Sequence, residues 1–174
     1  ESKSDVTIET YLNMIGLKTA VLLAGALKIG AITGGATTTD AENLYQFGKN
    51  IGLAFQLQDD LLDTFGDQKT FGKKIGGDIL QNKKTYLYLK ARETASGEDL
   101  AVLNKFYSGD IYEEVEKISA VTDIFRRLEV DKMAVELKEK YQCIAYEKLD
   151  EMSCAQSRTE PLRKLAKQLM GRKV

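Results

Sequence analysis

Asp59, Asp60 and Asp63 stand in the run IGLAFQLQDDLLD, residues 51–63, whose other members are almost all apolar. No Pro interrupts the run, so a helix is expected, and on a helix each residue advances by about 100°. Asp59 and Asp63 then project from one face, Asp60 lies one step round, and Gln56 shares that edge. Three carboxylates on a largely buried helix repel one another and lose hydration, which is costly unless a cation is bound. Hard oxygen ligands at this density suit Mg²⁺, which usually takes one or two carboxylates and fills its shell with water and substrate phosphate. A solvated acidic face is the plainer alternative. The next block, GDQKTFGKKIGGDILQNKKT (residues 66–85), adds four glycines, five lysines and two aspartates. A metal site beside glycines and lysines is what a diphosphate requires, with ammonium groups neutralising the charge that the metal leaves.

Ile51-Gly52, Phe55-Gln56-Leu57, Asp59-Asp60-Leu61 and Asp63, in that order, resemble the second aspartate-rich motif of the trans-isoprenyl diphosphate synthases, or polyprenyl synthetases. Gly72-Lys73, Gly76-x-Asp78 and Lys83-Lys84-Thr85 follow with that family's spacing. The resemblance implies Mg²⁺ on Asp59, Asp60 and Asp63, with Gln56 in substrate binding. It implies that Lys73 contacts an allylic diphosphate and that Asp78 lies near the metals or holds a lysine. Lys83 falls where the family has its next functional lysine, with Lys84 as a one-residue alternative. YLNMIGLKTAVLL, residues 11–23, resembles the family segment whose Lys-Thr pair precedes the motif. That implies substrate binding by Lys18 and Thr19, although by residue type alone Lys18 reads as a lysine snorkelling to solvent. The implied reaction is prenyl transfer. Mg²⁺ draws the diphosphate off an allylic diphosphate, the cation alkylates the double bond of isopentenyl diphosphate, and a proton is lost. Lys18, Lys73 and Asp60 are the residues to which the resemblance gives catalytic roles.

The family's chemistry uses two aspartate motifs facing each other across a helical cavity, yet Asp59-Asp60 is the only adjacent aspartate pair in this sequence. The resemblance runs the length of the chain but covers only the C-terminal half of the family pattern. Residues 1–174 are therefore expected to be the C-terminal portion of a single polyprenyl synthetase domain. Such a piece is expected not to catalyse prenyl transfer alone, and to cover its apolar faces by forming a homodimer or larger oligomer. A non-catalytic subunit of the same fold is the alternative, against which the intact Asp59, Asp60, Asp63, Lys73 and Asp78 argue. A terpene cyclase is disfavoured by DDLLD itself and by the Gly-Lys block after it.

Composition narrows the classes further. A chain of 174 residues suits one domain. Twenty-five basic and 26 acidic residues, net −1, give no reason to expect nucleic acid. The longest apolar run, Ala20 to Leu27, is well short of the ~20 residues of a membrane span, and no secretory pattern opens the chain. No stable membrane span is expected. Cys143 and Cys154 would lie about 16 Å apart along a continuous helix, too far to bridge, so free thiols and a cytoplasmic setting are expected. The absence of His excludes a His-based triad, a Cys/His zinc site and a Glu-x-x-His di-iron bundle.

One Pro in the chain and sustained helical periodicity predict an all-α fold, and the resemblance implies the C-terminal half of an isoprenoid synthase-type helical bundle. Thr7 or Asp5 should cap a first helix to about Gly30, with Tyr11, Met14, Ile15, Val21, Leu22 and Leu27 available to the core. Thr39-x-x-Glu42 reads as a capping box for the aspartate helix, which ends near Phe65. A loop over residues 66–77 leads to a helix from Thr85 to about Ala95. Ser96-x-x-Asp99 should cap a short helix to about Tyr107. A helix across Glu113–Leu128 follows, then one from Asp131 with a core stripe of Met133, Leu137, Tyr141, Ile144, Leu149 and Met152. Pro161 is expected in the first turn of a last helix ending at Gly171.

Overall fold

A computed structural model describes residues 6–67 and 75–171, and every regular element among the described residues is helical. In chain order these are α1 (Ile8–Ile15), a π-helical turn (Gly16–Ala20), α2 (Val21–Thr33), α3 (Thr38–Phe65), α4 (Gly77–Leu80) and α5 (Tyr86–Thr94). They continue with α6 (Gly97–Phe106), α7 (Glu114–Arg127), α8 (Val130–Asp150) and α9 (Gln156–Met170). The described residues divide into two compact units, one holding residues 6–11, 59–67 and 75–135, the other residues 12–58 and 136–171. The 28-residue helix α3 contributes to both, passing from one to the other between Gln58 and Asp59.

In the Leu12–Gln58 unit, Phe47, Ile51, Ala145, Leu149 and Ala166 form a buried cluster with Leu27, Leu44 and Leu162 against it. Helices α2 and α3 cross in van der Waals contact through small residues. A Cβ on Gly52 would sit 2.6 Å from Ala20 Cα, and one on Gly48 would sit 2.9 Å from Ala24 Cα. This close approach explains a departure from expectation. Ala20, Ala24 and Ala31 take the buried side of the helix, whereas Met14 and Leu22, expected in the core, are exposed, Leu22 by 79%. Leu17, Ile29 and Ile32 are exposed with them. The 26 residues Ile8–Thr33 carry an 18-residue stretch of mean hydropathy 1.7, long and apolar enough by length and composition to cross a membrane. The run Ala20–Leu27 understated this, because helix length counts Lys18 and Thr19 as brief interruptions. Only 22% of that stretch is buried within the structure.

In the other unit α7 is the central strut, packing against α4, α5 and α6. Val121, Ile124 and Phe125 of α7 are buried, as are Ile79, Leu87, Leu103 and Phe106 on the helices around it. Tyr88 and Tyr107 stack with ring centroids 3.9 Å apart.

Several helix ends move from their expected places. Thr7 caps the first helix, its Oγ1 accepting the Thr10 N–H at 3.1 Å. Thr37, not Thr39, caps α3 by accepting the Asp40 N–H at 3.1 Å, because Glu42 is occupied by Lys28 at 2.7 Å and Gln46 at 2.8 Å. Ser96 precedes α6 without a side-chain cap, and Asp99 pairs with Arg127 instead. Helix α9 begins at Gln156, which places Pro161 inside it. On α8 the buried residues are Val130, Ala134, Ala145 and Leu149. The larger Met133, Leu137, Tyr141, Ile144 and Met152 stay half-buried.

Candidate functional site

The site begins at the last two turns of α3. Asp60 turns inward and is 7% exposed, while Asp59 and Asp63 are half-buried, the division expected from a 100° step between neighbours. The Tyr11 hydroxyl donates to Asp60 Oδ2, and the Tyr86 backbone N–H donates to the same carboxylate. Burial pushes the Asp60 carboxyl up to about 7, against the Tyr11 and Tyr86 hydrogen bonds and with help from the charges of Asp78 and Asp59. Burial, and then the Asp60 charge, likewise push the Tyr11 phenol far above its ordinary value.

Asp63 anchors the return of the chain. Its carbonyl accepts the Gly76 N–H at 2.6 Å, and its carboxylate accepts the Asp78 N–H at 2.8 Å. Gly76 adopts φ 83°, a left-handed conformation that favours glycine. The short helix α4 closes in a Schellman arrangement, with Lys83 N–H to Asp78 O at 2.9 Å and Asn82 N–H to Ile79 O at 3.1 Å. Asn82 occupies the left-handed position at φ 53°. This turn delivers Lys83, whose Nζ lies 2.6 Å from Asp78 Oδ1. Asp78 raises the Lys83 ammonium above its ordinary value. Lys83 is thus paired with Asp78.

In the other unit Thr19 Oγ1 donates to Gln56 Oε1 at 3.0 Å. Lys18 is exposed, and both Lys18 and Thr19 lie in the π-helical turn Gly16–Ala20. Such turns inside α-helices occur frequently at functional sites. Lys73, expected to contact substrate, lies outside the described residues.

Residues 1–125 match the polyprenyl synthetase family. The chain belongs to that family. Among polyprenyl synthetase relatives, the short chain isoprenyl diphosphate synthase of Methanothermobacter thermautotrophicus is 38% identical over 166 residues, covering 93% of this chain and 46% of that protein. A crystal structure of a geranylgeranyl pyrophosphate synthase superposes with a TM-score of 0.89 at 42% identity, over 99% of this chain and 54% of that one. The geranylgeranyl pyrophosphate synthase of Corynebacterium glutamicum, solved with calcium and isoprenyl diphosphate, gives a TM-score of 0.81 at 29% identity, over 95% of this chain and 50% of that one. The isoprenoid synthase-type helical fold is therefore established, and the chain spans about half the length of the relatives it matches.

For a polyprenyl synthetase the donor set suits a hard divalent cation. Asp59 and Asp63 stand one turn apart with oxygen donors only. A Cβ on Gly77 would lie 3.2 Å from Asp63 Oδ1, so the glycine leaves that oxygen its room. Among the described residues no three acidic, His or Cys side chains converge tightly enough to hold a metal by themselves. Mg²⁺ asks for fewer, since it takes one or two carboxylates and draws the rest from water and phosphate.

Sequence reasoning missed two polar contributors. Tyr11 was expected only as a core residue, but a buried phenol needs a hydrogen-bond partner, and that need was the available signal. Asn82 carried no sign beyond its tolerance of the left-handed region.

Proposed function

We propose that this chain carries the second-aspartate-motif half of a Mg²⁺-dependent trans-prenyltransferase, which elongates an allylic diphosphate with isopentenyl diphosphate. The observation that carries this reading is the closing of the Asp59–Asp63 turn by the Gly76–Lys83 segment, which sets an exposed ammonium beside a cluster of carboxylates. Family membership and relatives named as isoprenyl diphosphate synthases support the reaction class. The neighbour solved with calcium and isoprenyl diphosphate supports the ligand classes.

Asp59 and Asp63 are the residues that would hold Mg²⁺, with Asp60 beneath them fixed by Tyr11 and Tyr86. When bound, Mg²⁺ supplies positive charge to the diphosphate oxygens as the carbon–oxygen bond breaks. Lys83 adds a second positive charge, and by resemblance Lys18 and Lys73 take the same part, with Thr19 and Gln56 in substrate binding. Groups placed in advance where charge develops lower the barrier without reorganising during the reaction. The exposed apolar side of α2 supports a homodimer, and the free thiols Cys143 and Cys154 suit a reducing, cytoplasmic setting.

Calorimetric titration of the chain with inorganic diphosphate, with and without Mg²⁺, tests the site. Binding should require Mg²⁺ and weaken at least about tenfold in Asp63→Asn, a loss of ~1.4 kcal/mol. Binding that ignores both Mg²⁺ and that substitution would overturn the assignment. Elongation of labelled isopentenyl diphosphate by the chain alone is expected to be undetectable, because the facing aspartate motif is absent from its sequence.

A further inference from the structure

Lys117 is a lysine in an unusual place. It lies on α7, is only 5% exposed, and among the described residues its ammonium meets no carboxylate within ion-pairing distance. Its Nζ donates instead to the side-chain Oδ1 of Asn82, and it sits 5.5 Å from the centre of the Tyr107 ring. An ammonium held away from water without a counter-charge is costly, and burial lowers the Lys117 pKa accordingly. Such an arrangement persists where something else depends on it.

What depends on it is the Asn82 turn. Asn82 is the left-handed residue of the Schellman closure after α4, and Lys83, next in sequence, places its ammonium on Asp78. The same helix braces the other end of the segment. Ile118, adjacent to Lys117, lies so close to Gly76 that a Cβ there would come within 2.8 Å of the isoleucine side chain. Burial, and then the charges of Tyr88, Asp78 and Asp63, push the phenol of Tyr107, which lies under the Lys117 ammonium, far above its ordinary value. Lys117 and Ile118 thus grip the two ends of the turn that carries Asp78 and Lys83.

We propose that Lys117 is a positioning residue for the diphosphate site, holding the Asn82 side chain so that Lys83 is presented beside Asp78. The proposal rests on the reading of the Asp63–Lys83 region as a diphosphate site, but the placement of Lys83 is measurable without any ligand. The Tyr107 ring, itself stacked on Tyr88, offers the ammonium a π face that a cation tolerates better than aliphatic packing.

Three variants of the chain test this: Lys117→Met, Lys117→Arg, and Asn82→Gly, which keeps the left-handed turn while removing only the side-chain acceptor. The first readout is the ¹³Cε and ¹Hε resonances of Lys83 in the ligand-free protein. In Lys117→Met and Asn82→Gly these should move toward the values of a solvated lysine, while Lys117→Arg should keep most of the native shift. The second readout is Mg²⁺-dependent affinity for inorganic diphosphate. Lys117→Met should weaken it roughly tenfold, and should weaken it no further in a Lys83→Ala background, since residues acting through one contact are not additive. Unchanged Lys83 resonances in Lys117→Met and Asn82→Gly would overturn the proposal, as would full additivity with Lys83→Ala. A wild-type chain that binds no diphosphate at all would instead defeat the functional reading, leaving the Lys83 resonances to decide the positioning role.

Discussion

Asp60 holds its proton to about pH 7 in the folded chain, whereas an unfolded aspartate releases it near ~3.9. Between those values the folded state binds a proton that the unfolded state has lost, so stability falls as pH rises through this window and levels off above it. Carboxylates held below their ordinary values, such as Asp40 through its Ser153 hydrogen bonds, act in the opposite sense, so the comparison must be between variants. Asp60→Asn keeps one acceptor oxygen for the Tyr11 hydroxyl or the Tyr86 amide and removes the titrating group. Urea unfolding at about pH 4.5 and pH 7.5 should show wild type losing stability relative to Asp60→Asn, by no more than about 4 kcal/mol. Parallel pH profiles would mean that the Asp60 carboxyl is not displaced by burial. At this scale the sequence was readable where local geometry decides. The outward placement of Asp59 and Asp63 and the inward turn of Asp60 follow from helix periodicity. The Tyr11 partner, 49 residues away in sequence, follows from tertiary packing and could not be read from spacing.

At the scale of elements, the crossing of α2 over α3 depends on what is missing from two side chains. Gly52→Ala would place a methyl 2.6 Å from Ala20 Cα and 2.8 Å from Ala20 Cβ. Neither atom belongs to a flexible chain end, so the helices must separate. Overpacking of this kind costs roughly 1–3 kcal/mol. Gly30, exposed on α2, has nothing within 4 Å of its would-be Cβ, so Gly30→Ala should stabilise by ~0.5–1 kcal/mol through helix propensity. Thermal unfolding of the pair checks both signs, and equal effects would show that the close crossing is not what holds Gly52. The same crossing explains why helix existence was legible but helix facing was not. Leu22 and Met14 look like core residues in a hydropathy pattern, yet at a crossing built on Gly48 and Gly52 the positions facing the glycines are Ala20, Ala24 and Leu27. Caps failed for a related reason. Glu42 and Asp99 satisfied the local capping pattern and were drawn off by Lys28 and Arg127, competitors that a four-residue window does not contain.

For the whole molecule the sequence announced the fold class through its periodicity and its single Pro, and the family through DDLLD and the Gly-Lys block. Because the chain matches only the C-terminal half of the family pattern, uncovered apolar faces were expected as well, but not which side chains would form them, since the exposure of a given residue depends on neighbouring helices rather than on composition. Leu17, Leu22, Ile29 and Ile32 are each at least 60% exposed on one continuous helix. Contiguous apolar surface of that kind marks an interaction face, and in a two-fold dimer one patch serves both copies. The wild-type chain should therefore sediment as a dimer or larger species at micromolar concentration. Leu22→Glu and Ile29→Glu together should shift it to monomer, with helical circular dichroism retained, since neither side chain is part of the buried core. Buried charge at a desolvated interface costs several kcal/mol per uncompensated group, enough to move a micromolar dimer beyond the millimolar range. If the wild-type chain sediments as a monomer across that range, this helix face does not join copies of the chain. If the double variant still sediments as a dimer, association runs through another surface.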